Sequence, residues 1–320
     1  MNETTFRSGF ISLIGRPNAG KSTLLNQLAG IRLAITSPKA QTTRQVVRAV
    51  LDDESSQLIF LDTPGLHKPK TRLGQYMMAC AATALADGDI ILLLIDAEAA
   101  AGSRSGCRVP AIEAEIIGKA SRQDKPIILV INKVDRVKKE SLLPLIAAYA
   151  AAYEFAALVP VSAKTGDGVS QLLSIIRSLL PEGPRYFPVD SVTDQTERSL
   201  AAELVREQIL LLTSEEIPHG TAVEVESFDE FAGDLPLDEA EGAERDFVRI
   251  SAVIYCDKDS HKGILIGRQG SMLKKIGSGA RVQIEAMLGC PIYLELHVIV
   301  RDDWRNRRGI LRNLGYEVQG

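Results

Sequence analysis

The fold of the first half of this chain is decided by one stretch, Gly15-Arg16-Pro17-Asn18-Ala19-Gly20-Lys21-Ser22. It follows an apolar run at residues 10–14 and leads into residues 23–28, whose leucines recur at helical spacing. A strand, a glycine-bearing turn and a helix start in this order form a phosphate-binding P-loop. The glycines let backbone N–H groups point at a polyphosphate, and the helix start adds the positive end of its dipole. We therefore predict a nucleotide site; the flanking strand and helix argue against a surface loop that matches by chance.

A magnesium site is expected beside this loop. The Ser22 hydroxyl suits a Mg²⁺ ion shared with the β- and γ-phosphates, which Lys21 is expected to reach. Asp62 ends another apolar run, where a carboxylate faces the ligand crevice of an open α/β sheet and can hold the metal through water. Thr43 lies in a polar stretch, residues 37–44, and would add a hydroxyl ligand only when a γ-phosphate orders that stretch. A permanently solvated loop is the alternative for it.

A second motif, Asn132-Lys133-Val134-Asp135, follows a further apolar run and is predicted to select the base. The Asp135 carboxylate can accept hydrogen bonds from the N1–H and 2-amino groups of guanine, and adenine offers neither donor in that arrangement. Lys133 is expected to lie along the ring, and Asn132 to tie the loop back to the P-loop. The backbone of Ser162-Ala163-Lys164 is expected to contact the guanine O6. A helix N-cap is the alternative interpretation of the motif.

The composition is that of a soluble globular protein with room for two domains. The chain has 320 residues, of which 45% are hydrophobic and 24% are charged, enough for two hydrophobic cores. The formal net charge is −4, so any nucleic-acid site must be a local basic patch. The scattered cysteines and the polar start predict reduced thiols, no zinc site and a cytoplasmic location. The longest apolar run, residues 90–95, is far shorter than the ~20 residues of a spanning helix, so at most peripheral membrane contact is expected.

The apolar spacing predicts an α/β fold for a first domain at residues 1–181, with a mostly parallel six-stranded sheet flanked by helices. The strands after the first are predicted at residues 46–51, 58–61, 90–96, 126–131 and 157–161, with a closing helix at 169–180. Residues 182–196 contain prolines and are predicted to be a linker.

A smaller α+β domain is predicted at residues 197–320. Its predicted elements are a helix at 197–213, strands at 223–227 and 247–255, a helix at 278–288, a strand at 292–300 and a last helix at 301–312. Between the first two strands, residues 228–246 carry eight acidic residues and one basic residue, a formal charge of −7. A block of this density is predicted to be a solvated, flexible loop.

A G-x-x-G turn in the second domain indicates RNA binding only in combination with its surroundings, because alone it is a common helix–turn–helix connection. Gly267 and Gly270 follow Ile264-Leu265-Ile266, which is expected to supply a helix and an apolar groove floor. Residues 258–281 hold six basic residues and one acidic residue; such a charge run alone would be a solvated face. Together with the element order, it resembles the type II K-homology module, in which the turn clamps about four nucleotides. The predicted RNA contacts are Lys262, Ile264, Ile266, Gly267, Arg268, Gln269, Gly270, Lys274 and Lys275.

The motifs G-x-P-N-x-G-K-S, T-T-R, D-T-P-G, N-K-x-D and S-A-K resemble those of translation-factor-like GTPases, and within that class the chain resembles the Era family of ribosome-assembly GTPases. The resemblance implies slow hydrolysis of GTP to GDP and phosphate with Mg²⁺. It also implies nucleotide-dependent binding to the 3′ region of 16S rRNA in the small ribosomal subunit. We further expect a monomer that can contact the inner face of the cell membrane peripherally. The alternatives are a regulatory GTPase acting on a protein or membrane through a non-RNA second domain, and a constitutive RNA-binding protein with a structural nucleotide.

Nucleotide and metal contacts follow from the same motifs. The predicted nucleotide contacts are Gly15, Arg16, Pro17, Asn18, Ala19, Gly20, Lys21, Ser22, Thr23, Asp62, Thr63, Pro64, Gly65, Leu66, Asn132, Lys133, Val134, Asp135, Ser162, Ala163 and Lys164. The predicted Mg²⁺ ligands are Ser22, Thr43 and Asp62.

One departure from Ras-like GTPases bears on hydrolysis. Leu66 follows Asp-Thr-Pro-Gly where Ras-like proteins carry the Gln that orients the attacking water, and leucine cannot hydrogen-bond water. Asn18 resembles the residue that helps hold K⁺ between the phosphates in potassium-dependent relatives. We therefore predict that K⁺ and backbone groups, among them the Gly65 N–H, assist hydrolysis, with Lys21, Thr43, Gly65 and Asn18 as the catalytic set. A loop-structuring side chain is the alternative role of Asn18.

Overall fold

The computed structural model of this protein describes residues 6–39, 41–101, 109–239 and 242–316. The chain divides into two compact units, one made of Met1–Pro69 and Gly74–Asp194 and the other of Lys70–Leu73 and Gln195–Gly320. Among the helices of the described ranges, none is both long and apolar enough to cross a bilayer. Cys80, Cys256 and Cys290 are free thiols, and Cys107 lies outside the described residues.

The first unit is built on a six-stranded sheet with the strand order β2-β3-β1-β4-β5-β6. Its strands are β1 (Arg7–Gly15), β2 (Val47–Asp52), β3 (Ser56–Asp62), β4 (Ile90–Asp96), β5 (Ile127–Asn132) and β6 (Ala157–Pro160). The β2–β3 pair is antiparallel and the other neighbouring pairs are parallel. The predicted mostly parallel sheet is therefore confirmed.

Helices cover both faces of this sheet. They are α1 (Lys21–Ala29), α2 (Arg72–Asp87), α3 (Ala97–Ala101), α4 (Ala111–Ala120), α5 (Leu142–Ala152) and α6 (Val169–Leu179). Along β4, Ile90, Leu92 and Leu94 join one apolar cluster, which includes residues of α1 and α6. Ile91, Leu93 and Ile95 join another, which includes residues of α4 and α5. This alternation explains why β4 is an uninterrupted apolar run, as is typical of a parallel strand buried on both faces. Because β1, β3, β4, β5 and β6 are parallel, their carboxyl ends lie at the same end of the sheet.

The segment after α6 is held on the first unit. The Gln57 side chain accepts hydrogen bonds from the Tyr186 and Phe187 N–H groups at 2.8 and 2.9 Å. Further along, the Val50 N–H donates to the Val192 carbonyl at 3.0 Å. These contacts fix most of the predicted linker along β2 and β3.

The second unit is an α+β domain with a four-stranded sheet in the order β10-β9-β7-β8. Its elements are α7 (Glu197–Leu212), β7 (Thr221–Ala232), β8 (Leu235–Pro236), β9 (Phe247–Cys256), α8 (Asp259–Ile266), α9 (Ser271–Leu288), β10 (Ile292–Val300) and α10 (Arg308–Asn313). The β9–β10 pair is parallel, whereas β7 pairs with β8 and β9 antiparallel. This is the smaller α+β domain expected from the sequence.

The prediction of a flexible acidic loop at residues 228–246 is wrong over much of its length. Strand β7 continues to Ala232 and pairs with β9, so Phe231 faces Phe247 with ring centroids 6.1 Å apart. The Arg245 guanidinium donates to Glu230 and to Glu197 at 2.6 Å each. The aromatic pair and the Arg245 bridge stabilise a hairpin, which the density of acidic residues in the sequence did not predict. Residues 240 and 241 lie outside the described residues.

Two helix boundaries also differ from prediction. Helix α9 begins at Ser271 instead of residue 278, because buried Ile276 and Ala280 keep the helix packed across its glycines. The tail is not one helix over 301–312. Instead, a 3-10 turn at Trp304–Asn306 precedes α10, because Asp303 has a left-handed φ of 50° and the indole N–H of buried Trp304 donates to the Gly220 carbonyl at 2.9 Å.

Candidate functional site

The residues predicted to contact nucleotide lie at the carboxyl ends of β1, β3 and β5, in the segments that follow these strands and β6, and in the first turn of α1. The P-loop connects the end of β1 to the start of α1 at Lys21. The Thr63 hydroxyl donates to the Leu13 carbonyl at 2.7 Å, which fixes the segment after β3 against β1. The tertiary structure therefore gathers motifs that are far apart in the sequence.

Lys21 is held inside the P-loop. Its ammonium donates to the carbonyls of Arg16 at 3.2 Å and Gly15 at 3.4 Å, and the residue is 6% exposed. Burial lowers the pKa of Lys21, and the nearby Asp62 carboxylate opposes that effect. A buried ammonium bound mainly by carbonyls favours an anionic ligand, and a polyphosphate meets that need.

The three predicted Mg²⁺ ligands meet in one cluster. The Ser22 hydroxyl donates to Asp62 Oδ2 at 2.6 Å, and Thr43 Oγ1 lies 2.9 Å from Ser22 Oγ and 3.2 Å from Asp62 Oδ2. Burial raises the pKa of Asp62, while Lys21 and the two hydroxyl hydrogen bonds oppose the rise. Asp62 Oδ1 is buried and has no partner within the described residues. Two hydroxyls and a carboxylate with a spare buried oxygen fit Mg²⁺ and its bound water.

The loop after β3 sits directly on the P-loop. The Leu66 N–H donates to the Gly15 carbonyl at 3.2 Å. A Cβ added to Gly65 would lie 2.7 Å from the Pro17 nitrogen, so a larger residue could not approach as closely. Gly65 is thereby next to the phosphate cradle, where its predicted role requires it. The Asn18 side chain contacts the polar stretch at residues 37–44, since its Nδ2 donates to the Pro38 carbonyl at 2.7 Å.

The motif predicted to select the base lines a cavity of about 160 Å³ beside the P-loop. Asn132 Nδ2 donates to the Ala19 carbonyl at 2.8 Å, and its Oδ1 accepts from the Ala163 N–H at 3.0 Å. The predicted tie between Asn132 and the P-loop is therefore present. The Asp135 carboxylate accepts a hydrogen bond from the Ser162 hydroxyl at 2.7 Å. The cavity is lined by Gly20, Thr23, Asn132, Lys133, Asp135, Arg136, Ala163 and Lys164.

One residue of this site was missed by the sequence analysis. Asp96, at the end of β4, accepts a 2.6 Å ion-paired hydrogen bond from the Lys133 ammonium. It stands opposite Asn132 in the parallel β4–β5 register. A carboxylate at the end of a parallel strand was the available signal, but only the strand order shows that β4 adjoins β5. Asp96 thereby fixes the side chain of Lys133, a residue that lines the cavity.

The G-x-x-G turn joins α8 to α9 as a tight connection. Gly267 and Gly270 have φ values of +72° and +76°, and Gln269 between them is also left-handed at +51°. A Cβ at Gly267 would lie 2.8 Å from the Met272 backbone nitrogen, whereas at Gly270 it would meet no described atom within 4 Å. Gly267 is therefore required by the turn itself, and Gly270 leaves open space for a ligand backbone.

Side chains around this turn divide into core and surface. Ile264 is 49% exposed, while Leu265 is fully buried. The expectation that Leu265 forms part of the groove floor is wrong, because helical geometry turns it into the core. Ile266 and Lys262 are half-buried. The exposed polar side chains among the predicted RNA contacts are Arg268, Gln269, Lys274 and Lys275.

The acidic hairpin lies at the other edge of the second sheet. Helices α8 and α9 pack against β10, which forms one edge of the sheet, and β8 of the hairpin forms the opposite edge. The Arg245 guanidinium beside the hairpin donates to the Leu288 carbonyl at 3.2 Å, at the end of α9, whereas the G-x-x-G turn precedes the start of α9 at Ser271. The acidic hairpin and the G-x-x-G turn therefore lie at opposite ends of α9.

Known proteins resemble this chain over its whole length. A family model described as 50S ribosome-binding GTPase matches residues 10–133, and a KH domain model matches residues 216–305. The protein named GTPase Era of Ruminiclostridium cellulolyticum is 45% identical over 314 residues, which cover 98% of this chain and 99% of that protein. The GTPase Era of Geotalea daltonii is 46% identical over 317 residues, covering 99% of this chain and all (100%) of that protein.

Two solved structures are similar across both units. A variant of Aquifex aeolicus Era bound to GDP·AlF4⁻ has a TM-score of 0.89 and 39% identity, covering 98% of this chain and 100% of that chain. A second structure contains Era with MgGDPNP and nucleotides 1506–1542 of 16S ribosomal RNA. It has a TM-score of 0.88 and 39% identity, with the same coverage of 98% and 100%.

Proposed function

This chain belongs to the Era family of GTPases, and from that premise we propose that it is a ribosome-assembly factor that couples GTP hydrolysis to binding of 16S rRNA. It binds GTP with Mg²⁺ in the first unit and the 3′ region of the rRNA at the G-x-x-G surface of the second. The observation that carries the proposal is the Ser22–Thr43–Asp62 cluster beside the Asp135 cavity, in a chain that also carries that surface. The relative solved with MgGDPNP and rRNA supports this combination of ligands.

The chain's own groups divide the work of hydrolysis. Lys21 supplies a fixed positive charge at the β- and γ-phosphates, and the Gly65 N–H donates to the γ-phosphate. When bound by Ser22 and Thr43, and through water by Asp62, Mg²⁺ supplies Lewis-acid charge to the phosphate oxygens. Leu66 packs against the apolar cluster that includes residues of α4 and α5, and its side chain has no polar group that could orient the attacking water.

In other GTPases an arginine finger supplies positive charge to the transition state. We propose that K⁺, held by Asn18, supplies this charge here. The Asn18 amide reaches the Pro38 carbonyl, so this side chain bridges the P-loop and the 37–44 stretch. A monovalent ion held at this position would neutralise charge that develops between the phosphates. Asn18 can contribute an amide oxygen, a ligand type that suits such a cation.

We also propose a cytoplasmic location, because the proposed ribosomal partner is found there. A monomeric state and peripheral contact with the inner face of the cell membrane stay predictions.

One RNA-binding experiment tests the proposal. The affinity of the full chain for a 16S 3′-end oligonucleotide is measured with a GTP analogue, with GDP and without nucleotide. We expect the tightest binding with the GTP analogue and a loss of about tenfold or more in Gly270→Asp, because the new carboxylate repels the RNA backbone. Equal affinity in all nucleotide states would favour a constitutive RNA-binding protein. An unaffected Gly270→Asp variant would favour a protein- or membrane-directed GTPase.

A matched control separates charge from backbone strain. Gly289, at the other end of α9, has a φ of +73°, and a Cβ added there would meet no atom of the described residues within 4 Å, as at Gly270. Gly289→Asp should therefore carry a similar strain and retain RNA affinity. Gly267→Asp is a poorer test because its Cβ collides with the Met272 backbone and would destabilise the turn itself.

A further inference from the structure

A buried carboxylate near the P-loop has no part in the site described above. Glu113 lies in the first turn of α4 and is only 4% exposed. Acidic side chains are seldom buried unless they are paired. Glu115, on the same helix, shows the usual arrangement: it is exposed and pairs with Lys119 on the helix surface. The burial of Glu113 therefore needs a specific explanation.

Glu113 has partners from two other parts of the first unit. The hydroxyl of Tyr149, a fully buried residue of α5, donates to Oε2 of Glu113. Burial, together with this contact to Glu113, raises the pKa of Tyr149, so the hydroxyl stays protonated and remains a donor. The other carboxylate oxygen, Oε1, lies 3.7 Å from Nη1 of Arg16 in the P-loop. The carboxylate is thus anchored on α5 and faces the P-loop.

Arg16 connects this carboxylate to Lys21. Its backbone carbonyl accepts hydrogen bonds from the Lys21 ammonium at 3.2 Å and from the Ala19 N–H at 3.3 Å. Its side chain is 45% exposed, so the guanidinium could occupy several rotamers if Glu113 did not attract it. A continuous series of contacts therefore runs from Tyr149 through Glu113 and Arg16 to Lys21.

We propose that Glu113 is a positioning residue of the nucleotide site. By holding the Arg16 guanidinium, it fixes the Arg16 peptide, whose carbonyl orients the Lys21 ammonium toward the β- and γ-phosphates. Glu113 itself does not need to touch the nucleotide. Because the Arg16 end of the pair is solvated, salt should weaken the effect. The inference rests on the GTP site proposed above and adds a residue that none of its motifs contains.

The test compares nucleotide affinity in Glu113→Gln and Glu115→Gln, two neutralising substitutions on the same helix. We expect Glu113→Gln to weaken both GDP and GTP binding about three- to tenfold at low salt, and by less at high salt. Glu115→Gln should bind like the wild type. Stopped-flow association and dissociation rates of a fluorescent nucleotide together give the affinity change, and thermal unfolding reports any separate loss of stability.

The exposed partner keeps the proposal testable if Glu113→Gln folds poorly. Arg16→Ala should weaken nucleotide binding as Glu113→Gln does, Arg16→Lys should recover part of the loss, and the double variant Arg16→Ala/Glu113→Gln should lose no more than either single variant. A lower unfolding temperature with unchanged nucleotide affinity would show that Glu113 is merely structural, and additive losses would show that Arg16 and Glu113 act independently. If the wild type itself failed to bind GTP, the proposed function would fail first.

Discussion

The Ser22 hydroxyl lies 2.6 Å from a carboxylate oxygen of Asp62, which is 40 residues away in the sequence. Thr43 hydrogen-bonds with both residues, so three polar oxygens, from α1, from the end of β3 and from the polar stretch at residues 37–44, lie close together. The second Asp62 oxygen is buried and lacks a partner within the described ranges. Such an oxygen is stabilised by a donor, and a metal-bound water is the donor that the surrounding ligand set favours.

Asp62→Asn is expected to remove most of the Mg²⁺ dependence of GTP binding. Groups that hold a metal through a bound water contribute about ten- to a hundredfold to the affinity for that metal. Asparagine lacks the negative charge with which the Asp62 carboxylate attracts Mg²⁺ and its water. Fluorescent-nucleotide titrations with Mg²⁺ and with EDTA measure the difference. Glu115→Gln, which removes a surface charge, serves as the control. A full Mg²⁺ effect in Asp62→Asn would rule out this role.

Binding of Mg²⁺ with nucleotide is expected to release a proton from Asp62 at pH values between its ordinary pKa of 3.8 and its raised pKa. Burial raises the pKa of Asp62 above its ordinary 3.8, so without ligand this group stabilises the fold below pH 3.8 and the contribution is lost as pH rises through the raised value. The metal needs the ionised form, and its affinity should increase with pH across that window. Calorimetry in two buffers of different ionisation enthalpy measures the released proton. Asp62→Asn should show none.

Asp135→Asn is expected to change the base preference. The substitution replaces the carboxylate, which accepts from two guanine N–H groups, with an amide. The amide NH₂ then faces one of these N–H groups, a donor opposite a donor. We expect GTP affinity to fall about a hundredfold or more. Xanthosine triphosphate, which carries an oxygen in place of the 2-amino group, should bind the variant better than GTP does. Competition titrations with GTP, XTP and ATP measure the order. An unchanged preference for GTP would show that Asp135 does not read the base.

Potassium is expected to stimulate hydrolysis through Asn18. Phosphate release should be faster in KCl than in NaCl at equal ionic strength, by about tenfold if the ion replaces part of the charge of an arginine finger. Asn18→Ala should turn over slowly in both salts, because the ion loses a ligand. Equal rates of the wild type in the two salts would exclude this role for the ion.

The β2–β3 turn should stabilise the first unit in a pH-dependent way. Burial alone would raise the pKa of Asp53, but the backbone and hydroxyl hydrogen bonds from Ser55 and Ser56 outweigh it and lower the pKa to about 2. The resulting stability is fully present above the ordinary value of 3.8 and is lost as pH falls through about 2. Asp53→Asn should lose ~1 kcal/mol at neutral pH. Urea unfolding should show the gap from wild type narrowing as the pH falls below about 4.

The predictions that held from the sequence concern local features. The P-loop, the run at residues 90–96 and the G-x-x-G turn each lie within a few consecutive residues, where glycine positions and apolar spacing are visible. The same local view misjudged residues 228–246, because charge density says nothing about the pairing of β7 with β9 or about the bridge from Arg245 to Glu197. It also placed the buried Leu265 in a binding groove.

By itself, the sequence determined that this chain has a P-loop nucleotide domain followed by a K-homology domain, since each motif carries its turn geometry and spacing within one short segment. Only the tertiary structure decided that Asp96 holds Lys133, that Asp62 meets Ser22 and Thr43, and that Glu113 faces Arg16. These contacts depend on which strands are neighbours, on their register and on how helices cover the sheet. Strand neighbours, register and helix packing are determined by the burial of whole sheet and helix faces, so they cannot be deduced from any single segment of the sequence.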